Sequence, residues 1–299
     1  MTHHPTEQLS HPHHTRPGHG PAPEHNTGLA EILDLDATLG APVLASALDA
    51  AFIALGADPV TVVDLGAGTG TGTLAIAARF PRARVHSIEA SQAMLDRLGA
   101  AVLSAGIGDR IEPQLLDLDG DWPVALPAAV DLAWASLSLH HVTDPARLLD
   151  QTLQLLRPSG VLVVIEMAGA ATYLPDDLGT GRADLGALLG ASLSALGYPV
   201  TPDWTDALSK AGFTRVQRHE VDFETSARTS DGARYLALQL AMNRQHLAPD
   251  WPADDVRALE KAIDALDAGT SALELSSGRV IWTAVRPADE ASAEGGVAR

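Results

Sequence analysis

Two features of this chain have the residue types and spacing of a ligand site. The stretch Val62-Val63-Asp64-Leu65-Gly66-Ala67-Gly68-Thr69-Gly70-Thr71-Gly72 is an apolar run that ends in alternating glycines. Such glycines allow a tight turn whose backbone can approach a ligand closely, because no Cβ intervenes. Thr73 to Phe80 then reads as a helix. Strand, turn and helix N-terminus together aim amide N–H groups at whatever lies above them. The second feature is Glu89, which ends the alternating run Ala83 to Glu89 about 20 residues beyond the loop, the place where a βαβ nucleotide site keeps a carboxylate for both ribose hydroxyls. The dinucleotide pattern G-x-G-x-x-G is not met: its third glycine falls on Thr71 or Thr73, depending on register. A nicotinamide oxidoreductase is disfavoured on that ground.

The elements that must position these groups follow in order. Pro59 to Leu65 is valine-rich, as a strand buried on both faces should be. Ser91 caps a helix running through Ala105, with Met94, Leu95 and Leu98 on its inner face. A third strand, Ile111 to Leu116, ends at Asp117-Leu118, and a fourth, Val130 to Ser136, leads into Leu137-Ser138-Leu139-His140-His141. A turn at Arg157-Pro158-Ser159-Gly160 precedes a fifth strand, Val161 to Glu166. Ala211 to Val216 and Gly278 to Val285 supply a sixth and a final strand.

The loop pattern D-x-G-x-G-x-G, the Glu89 strand end, the Asp131-to-His141 segment and the Arg157 turn, with serine for one glycine of "RPGG", occur in the order seen in class I S-adenosylmethionine-dependent methyltransferases, which the chain resembles motif by motif over roughly residues 58–167. The resemblance implies an α/β fold: a Rossmann-like seven-stranded mixed sheet with its last strand antiparallel, helices on both faces and helical cap insertions. It implies S-adenosyl-L-methionine as the cofactor. Asp64, Gly66, Ala67, Gly68, Thr69 and Gly70 would hold its amino-acid end, and Glu89, with Ala90 and Met94 beside it, its ribose. Asp117 would meet the adenine amino group with Leu118 against the ring, and Ser136, Leu137 and His141 would face the methionine end. No metal ligand is implied.

Composition bounds the partners. A net charge of −18 argues against a phosphate backbone as partner. Nor does an Asn-Pro-Pro-Tyr or Asp-Pro-Pro-Tyr motif follow the fourth strand, so an amino-methylating DNA enzyme is not expected. The absence of cysteine rules out disulfides and cysteine-ligated metal. No apolar run reaches membrane-spanning length and no secretion signal is present, so a cytoplasmic enzyme acting on a small molecule is expected, with a homodimer left open. Residues 1–26 alternate histidine with proline and read as a disordered tail with some affinity for zinc, nickel or copper. Residues 27–57 read as an N-terminal helical cap, with Ile32, Leu33, Leu35, Leu39, Val43, Leu44, Leu48 and Phe52 at helix spacing around Pro42. The remaining residues, 58–299, form the cofactor-binding domain, with helical insertions at about 168–202 and 229–270.

A methyl group on a sulfonium is already activated, so the protein's main task is to align a nucleophile with the C–S bond. A base is needed only for a protonated acceptor. His140 and His141, at the site-facing end of the fourth strand, are the candidates, since histidine titrates near neutral pH. Glu166 and Tyr173 could handle a proton, Arg182 could hold an anionic acceptor, and Tyr235 lies on a helix face with Leu238 and Met242 that serves either as core or as a lid. The same fold also admits an aminopropyl-type transferase or a non-catalytic cofactor-binding protein.

Overall fold

The structure is a computed structural model that describes residues 26–200 and 203–289. The histidine-rich tail falls outside the described residues. Asn26–Leu39 (α1) and Ala41–Leu55 (α2) precede the first strand, Thr61–Leu65 (β1). Helices and strands then alternate: Thr71–Arg79 (α3), Arg84–Glu89 (β2), Gln92–Ser104 (α4), Ile111–Leu115 (β3), Val130–Ser136 (β4), Pro145–Leu155 (α5) and Leu156–Met167 (β5). The last third comprises Thr172–Leu174 (β6), Leu185–Ala195 (α6), Trp204–Lys210 (α7), Thr214–Ser226 (β7), Ser230–Leu247 (α8), Ala253–Asp267 (α9) and Glu274–Val285 (β8).

One sheet contains every strand. β3, β2, β1, β4 and β5 lie side by side in that order, all parallel. β8 then runs antiparallel to β5, and β7 pairs antiparallel with β8 along its other edge. The expected seven-stranded arrangement is present, with one addition: the three-residue β6 continues the β5 edge by pairing Thr172–Leu174 with Ser276–Glu274. The valine-rich runs explain the parallel part, for Val62, Val63, Val85, Leu132, Val161 and Val163 are wholly buried between helices. The stretch Arg157–Gly160 lies within the bounds of β5 but takes no partner in β4: it bulges out between the pair Val130 with Leu156 and the pair Leu132 with Val161, with Ser159 at φ 62°.

Three apolar layers result. α2, α3 and α4 cover one face of the sheet through Val43, Leu48, Ile76 and Leu98. α5 and α7 cover the other through Leu148, Leu149, Trp204 and Leu208. The third layer is the cap, where Leu185 and Leu189 of α6, Leu236 and Leu240 of α8 and Leu259 of α9 meet Ile32 of α1. The two N-terminal helices thus part company: α2 packs on the sheet and α1 packs in the cap. Between β7 and β8 the chain forms the two helices α8 and α9.

Because the chain leaves β1 toward β2 on one side and returns through β4 on the other, the crevice outside β1 and β4 is a topological switch point, where open α/β sheets bind ligands. Asp131 fixes the opposite end of these strands. Its carboxylate accepts hydrogen bonds from the N–H of Val60 (2.8 Å) and Thr61 (2.9 Å) and from Arg157 Nε (2.5 Å). Partial burial would raise its pKa, but these donors outweigh it and hold the carboxyl below the ordinary range. Replacing Asp131 with alanine strands three donors and is expected to cost about 2 kcal/mol of stability by urea unfolding. A change within about 0.5 kcal/mol would show that the clamp does not hold the β1 and β5 entries.

Candidate cofactor-binding and active site

The glycine loop closes the C-terminal end of β1. Gly66, Gly68 and Gly70 take φ values of 76°, 55° and 92°, a region that side chains rarely enter. Space excludes larger residues too. A Cβ on Gly66 would stand 2.6 Å from Ser138 Cβ, and one on Gly70 would stand 2.7 Å from Leu98 Cγ. The N–H groups of Gly66 and Ala67 both donate to Ile88 O, at 2.9 and 2.8 Å, which binds the loop to β2. Ser138 Oγ donates to Leu65 O at 2.7 Å, which binds it to the segment after β4.

Glu89 ends β2 beside the loop. Gly68 N–H donates to its Oε2 at 2.9 Å and Ser91 N–H to its Oε1 at 2.8 Å. Each oxygen keeps a lone pair for a further donor. Ser91 also caps α4 as the sequence indicates, accepting from Met94 N–H at 3.4 Å. Beneath the loop, Asp64 is buried and accepts from Thr73 Oγ1 at 2.7 Å, with Ser87 Oγ 2.8 Å beyond. Burial pushes the Asp64 carboxyl up to about 7; the Thr73 hydroxyl opposes that rise and the nearby Glu89 charge adds to it. Trp134, paired with Asp64 across β1 and β4, keeps its buried Nε1 without a partner among the described residues, as does Thr69 Oγ1 within the loop.

Asp117 lies exposed after β3 and accepts from Asp119 N–H at 2.9 Å, while Leu118 packs against the α5-side core. Sequence reading passed over Asp119, whose carboxylate receives the N–H and hydroxyl of Thr143, both at 2.9 Å, and so ties the loops after β3 and β4 together. Ser136 ends β4, and Leu137 turns into the left-handed region (φ 53°) with its N–H donated to Ile165 O at 2.8 Å. Such a conformation for a branched residue marks a backbone held by its surroundings.

His140 and His141 follow on a single 3-10 turn, Leu139–His141, with ring centroids 4.0 Å apart. His140 Nδ1 lies 2.6 Å from Glu166 Oε2, so the structure unites a proposed base on the turn after β4 with a proposed proton carrier on β5. The other three acceptor-side candidates stand apart from this pair. Tyr173 is packed in the cap core, where burial pushes its hydroxyl up to about 12. Arg182 is half-exposed and donates to Asp255 of α9 at 2.7 Å. Tyr235 donates to Asp36 Oδ1 at 3.0 Å in a buried set with Arg279, and burial raises its hydroxyl as well.

α1 lies over the loop. A Cβ on Gly68 would meet Leu33 of α1 at 3.6 Å, an ordinary contact. Three acidic residues hold this helix down: Glu31 on Arg234, with both contacts at 2.7 Å, Asp34 near Arg97, and Asp36 on Arg279 at 2.6 Å. The apolar spacing of α1 places Leu33 on a helix but does not show what it covers.

Asp64 supplies a pH test. Its folded-state pKa lies above the unfolded carboxylate value of about 3.9, so the folded chain holds that proton more tightly. Stability therefore falls as pH rises from about 4 to about 7 and is flat above that, by something on the order of 4 kcal/mol from this group. Asp64→Asn keeps an acceptor for Thr73 and removes the titration. In melting curves between pH 4.5 and 8, wild type should lose ground to the variant as pH rises. Parallel curves would contradict the buried acid.

A methyltransferase-domain family profile matches residues 63–162, from β1 through the middle of β5. Trans-aconitate 2-methyltransferase of Azoarcus sp. is 37% identical over 108 residues, which is 36% of this chain and 39% of that protein. Malonyl-[acyl-carrier protein] O-methyltransferase of Laribacter hongkongensis is 30% identical over 158 residues, 52% of this chain and 51% of the relative. The chain thus aligns with about two fifths to half of the length of these relatives. A solved structure of a candidate methyltransferase from Bacillus halodurans C-125 superposes with a TM-score of 0.52 at 15% identity, covering 82% of this chain and 98% of that one, and shares the fold. Over residues 63–162 the chain is thus similar to a methyltransferase domain, and its fold is that of the solved neighbour.

Proposed function

We propose that the protein transfers a methyl group from S-adenosyl-L-methionine to a small-molecule acceptor. The observation that carries this reading is the Glu89 carboxylate, held by Gly68 and Ser91 N–H at the tip of β2 and retaining acceptor capacity on both oxygens. A ribose offers two adjacent hydroxyl donors, and this is the arrangement that meets them. The unpartnered Thr69 hydroxyl in the glycine loop also fits a polar ligand there, since a buried hydroxyl left alone is costly.

In this reading Asp64, Gly66, Ala67, Gly68, Thr69 and Gly70 form the floor beneath the amino-acid end of the donor. Glu89, Ala90 and Met94 line the sugar, Asp117 and Leu118 the adenine, and Ser136, Leu137 and His141 the methionine end. The donor supplies a methyl carbon bearing a positively charged sulfur leaving group. The chain's own part is to orient and dry the site. α1 brings Leu33 onto the loop, and the cap helices α6, α8 and α9 stand beside it. Exclusion of water and fixed approach are what speed such a displacement.

The acceptor is a small molecule in this proposal, in keeping with trans-aconitate and malonyl-[acyl-carrier protein] in the relatives' names. The net charge of −18 is unsuited to a nucleic-acid partner. Among the described residues no single helix is long and apolar enough to cross a membrane.

Calorimetry with S-adenosylhomocysteine and with NADH tests the cofactor. The first should bind and the second should not, and Glu89→Ala should weaken the first about 30-fold, the worth of about 2 kcal/mol for hydrogen bonds to a charged group. Binding of NADH alone, or an unchanged affinity in Glu89→Ala, would overturn the reading.

A further inference from the structure

Glu166 is a buried carboxylate near the strand ends. It is wholly buried on β5, opposite Val280 of β8, on the side of the sheet where Leu139, Val142 and Val280 form the apolar layer. One oxygen meets His140 Nδ1 at 2.6 Å, and the other, Oε1, has no partner among the described residues. A buried carboxylate with half its acceptors unused is a poor way to stabilise a fold, since apolar residues of similar volume often do as well or better. His140, by contrast, is partly open, with 15% of its side chain exposed. The titratable groups against it are Glu166 from β5 and His141 from its own turn.

We propose that Glu166 orients His140 as the general base of this site, and that the acceptor is therefore a hydroxyl or amine that gives up a proton as it is methylated. This inference rests on the methyl-transfer reading above. The carboxylate accepts the hydrogen on Nδ1, which leaves the lone pair on Nε2. As the acceptor oxygen or nitrogen forms its bond to the methyl carbon, the carbon–sulfur bond breaks with its electron pair going to sulfur. The acceptor's proton passes to Nε2, and Glu166 neutralises the resulting imidazolium. An acceptor that is already an anion, such as a tricarboxylate, would need no such base. Glu166 is a positioning residue in this scheme.

Wild type, Glu166→Gln and His140→Gln are compared in three measurements: S-adenosylhomocysteine binding by calorimetry, the His140 tautomer by nitrogen-15 NMR in that complex, and labelled methyl transfer to catechol, sarcosine and trans-aconitate across pH. The expected results are a neutral Nδ1–H tautomer in wild type and a base-stable methyl product from catechol or sarcosine. The rate should fall about 100-fold in His140→Gln, and the acid limb of the pH profile should be displaced in Glu166→Gln, with S-adenosylhomocysteine affinity retained in both variants. An Nε2–H tautomer, a base-labile methyl ester as the only product, or a wild-type rate in His140→Gln would overturn the inference while leaving the methyl-transfer reading in place. If none of the three acceptors is labelled, the tautomer decides in the same sense. Failure of wild type to bind S-adenosylhomocysteine would overturn the methyl-transfer reading itself, and this inference with it.

Discussion

The hydrogen bond from Gly68 N–H to Glu89 Oε2 joins the two halves of the site, and much else in the structure serves to make it. Gly68 can offer its amide there only because the loop takes three left-handed turns at glycines. Glu89 can receive it only because β2 lies in register beside β1, with Leu65 opposite Ile88 one residue before the carboxylate. That register depends in turn on the burial of both strands on both faces. A side chain at Gly66 or Gly70 would collide with Ser138 or Leu98, so the loop also fixes the spacing between β1, the segment after β4 and α4.

The acidic side chains of this chain are used less as surface charge than as ties between layers. Asp131 clamps the entries of β1 and β5, Asp119 links the loops after β3 and β4, and Asp36 joins α1 to Arg279 and Tyr235. Arg279 is itself buried, with its guanidinium 4.3 Å from the centre of the Phe223 ring. Through Asp36 and Glu31 the helix over the glycine loop is attached to the cap and to the last strand. Cap and glycine loop are therefore coupled through α1.

The strand-loop-helix core was legible because its signals are local. Val130–Ser136 coincides with β4, Ser91 caps α4, and the alternating glycines fix their own turn. The short β6 was not legible, for three residues have no period to read and pair only because β8 extends past β5. The Arg157–Gly160 stretch looks like a turn by composition and stays unpaired with β4, as a bulge between Leu156 and Val161 inside β5. His140 was picked out by its place at the end of the fourth strand and its chemistry, and Glu166 by residue type. Their meeting at 2.6 Å depends on the stagger between β4 and β5, which no spacing in the chain encodes. Tyr173 and Arg182 were chosen by the same chemical logic, but the cap folds one into its core and turns the other toward α9.

In the proposed function the loop from Gly66 to Gly70 and the tip of β2 form one surface for the donor. Hydrogen–deuterium exchange with and without S-adenosylhomocysteine reads that surface directly, because a bound ligand slows amide opening where it makes contact. Peptides spanning residues 64–72 and 86–94 should both gain protection, while the α5 and α7 side of the sheet stays unchanged. Protection confined to the cap helices, with these two peptides unaffected, would contradict the account.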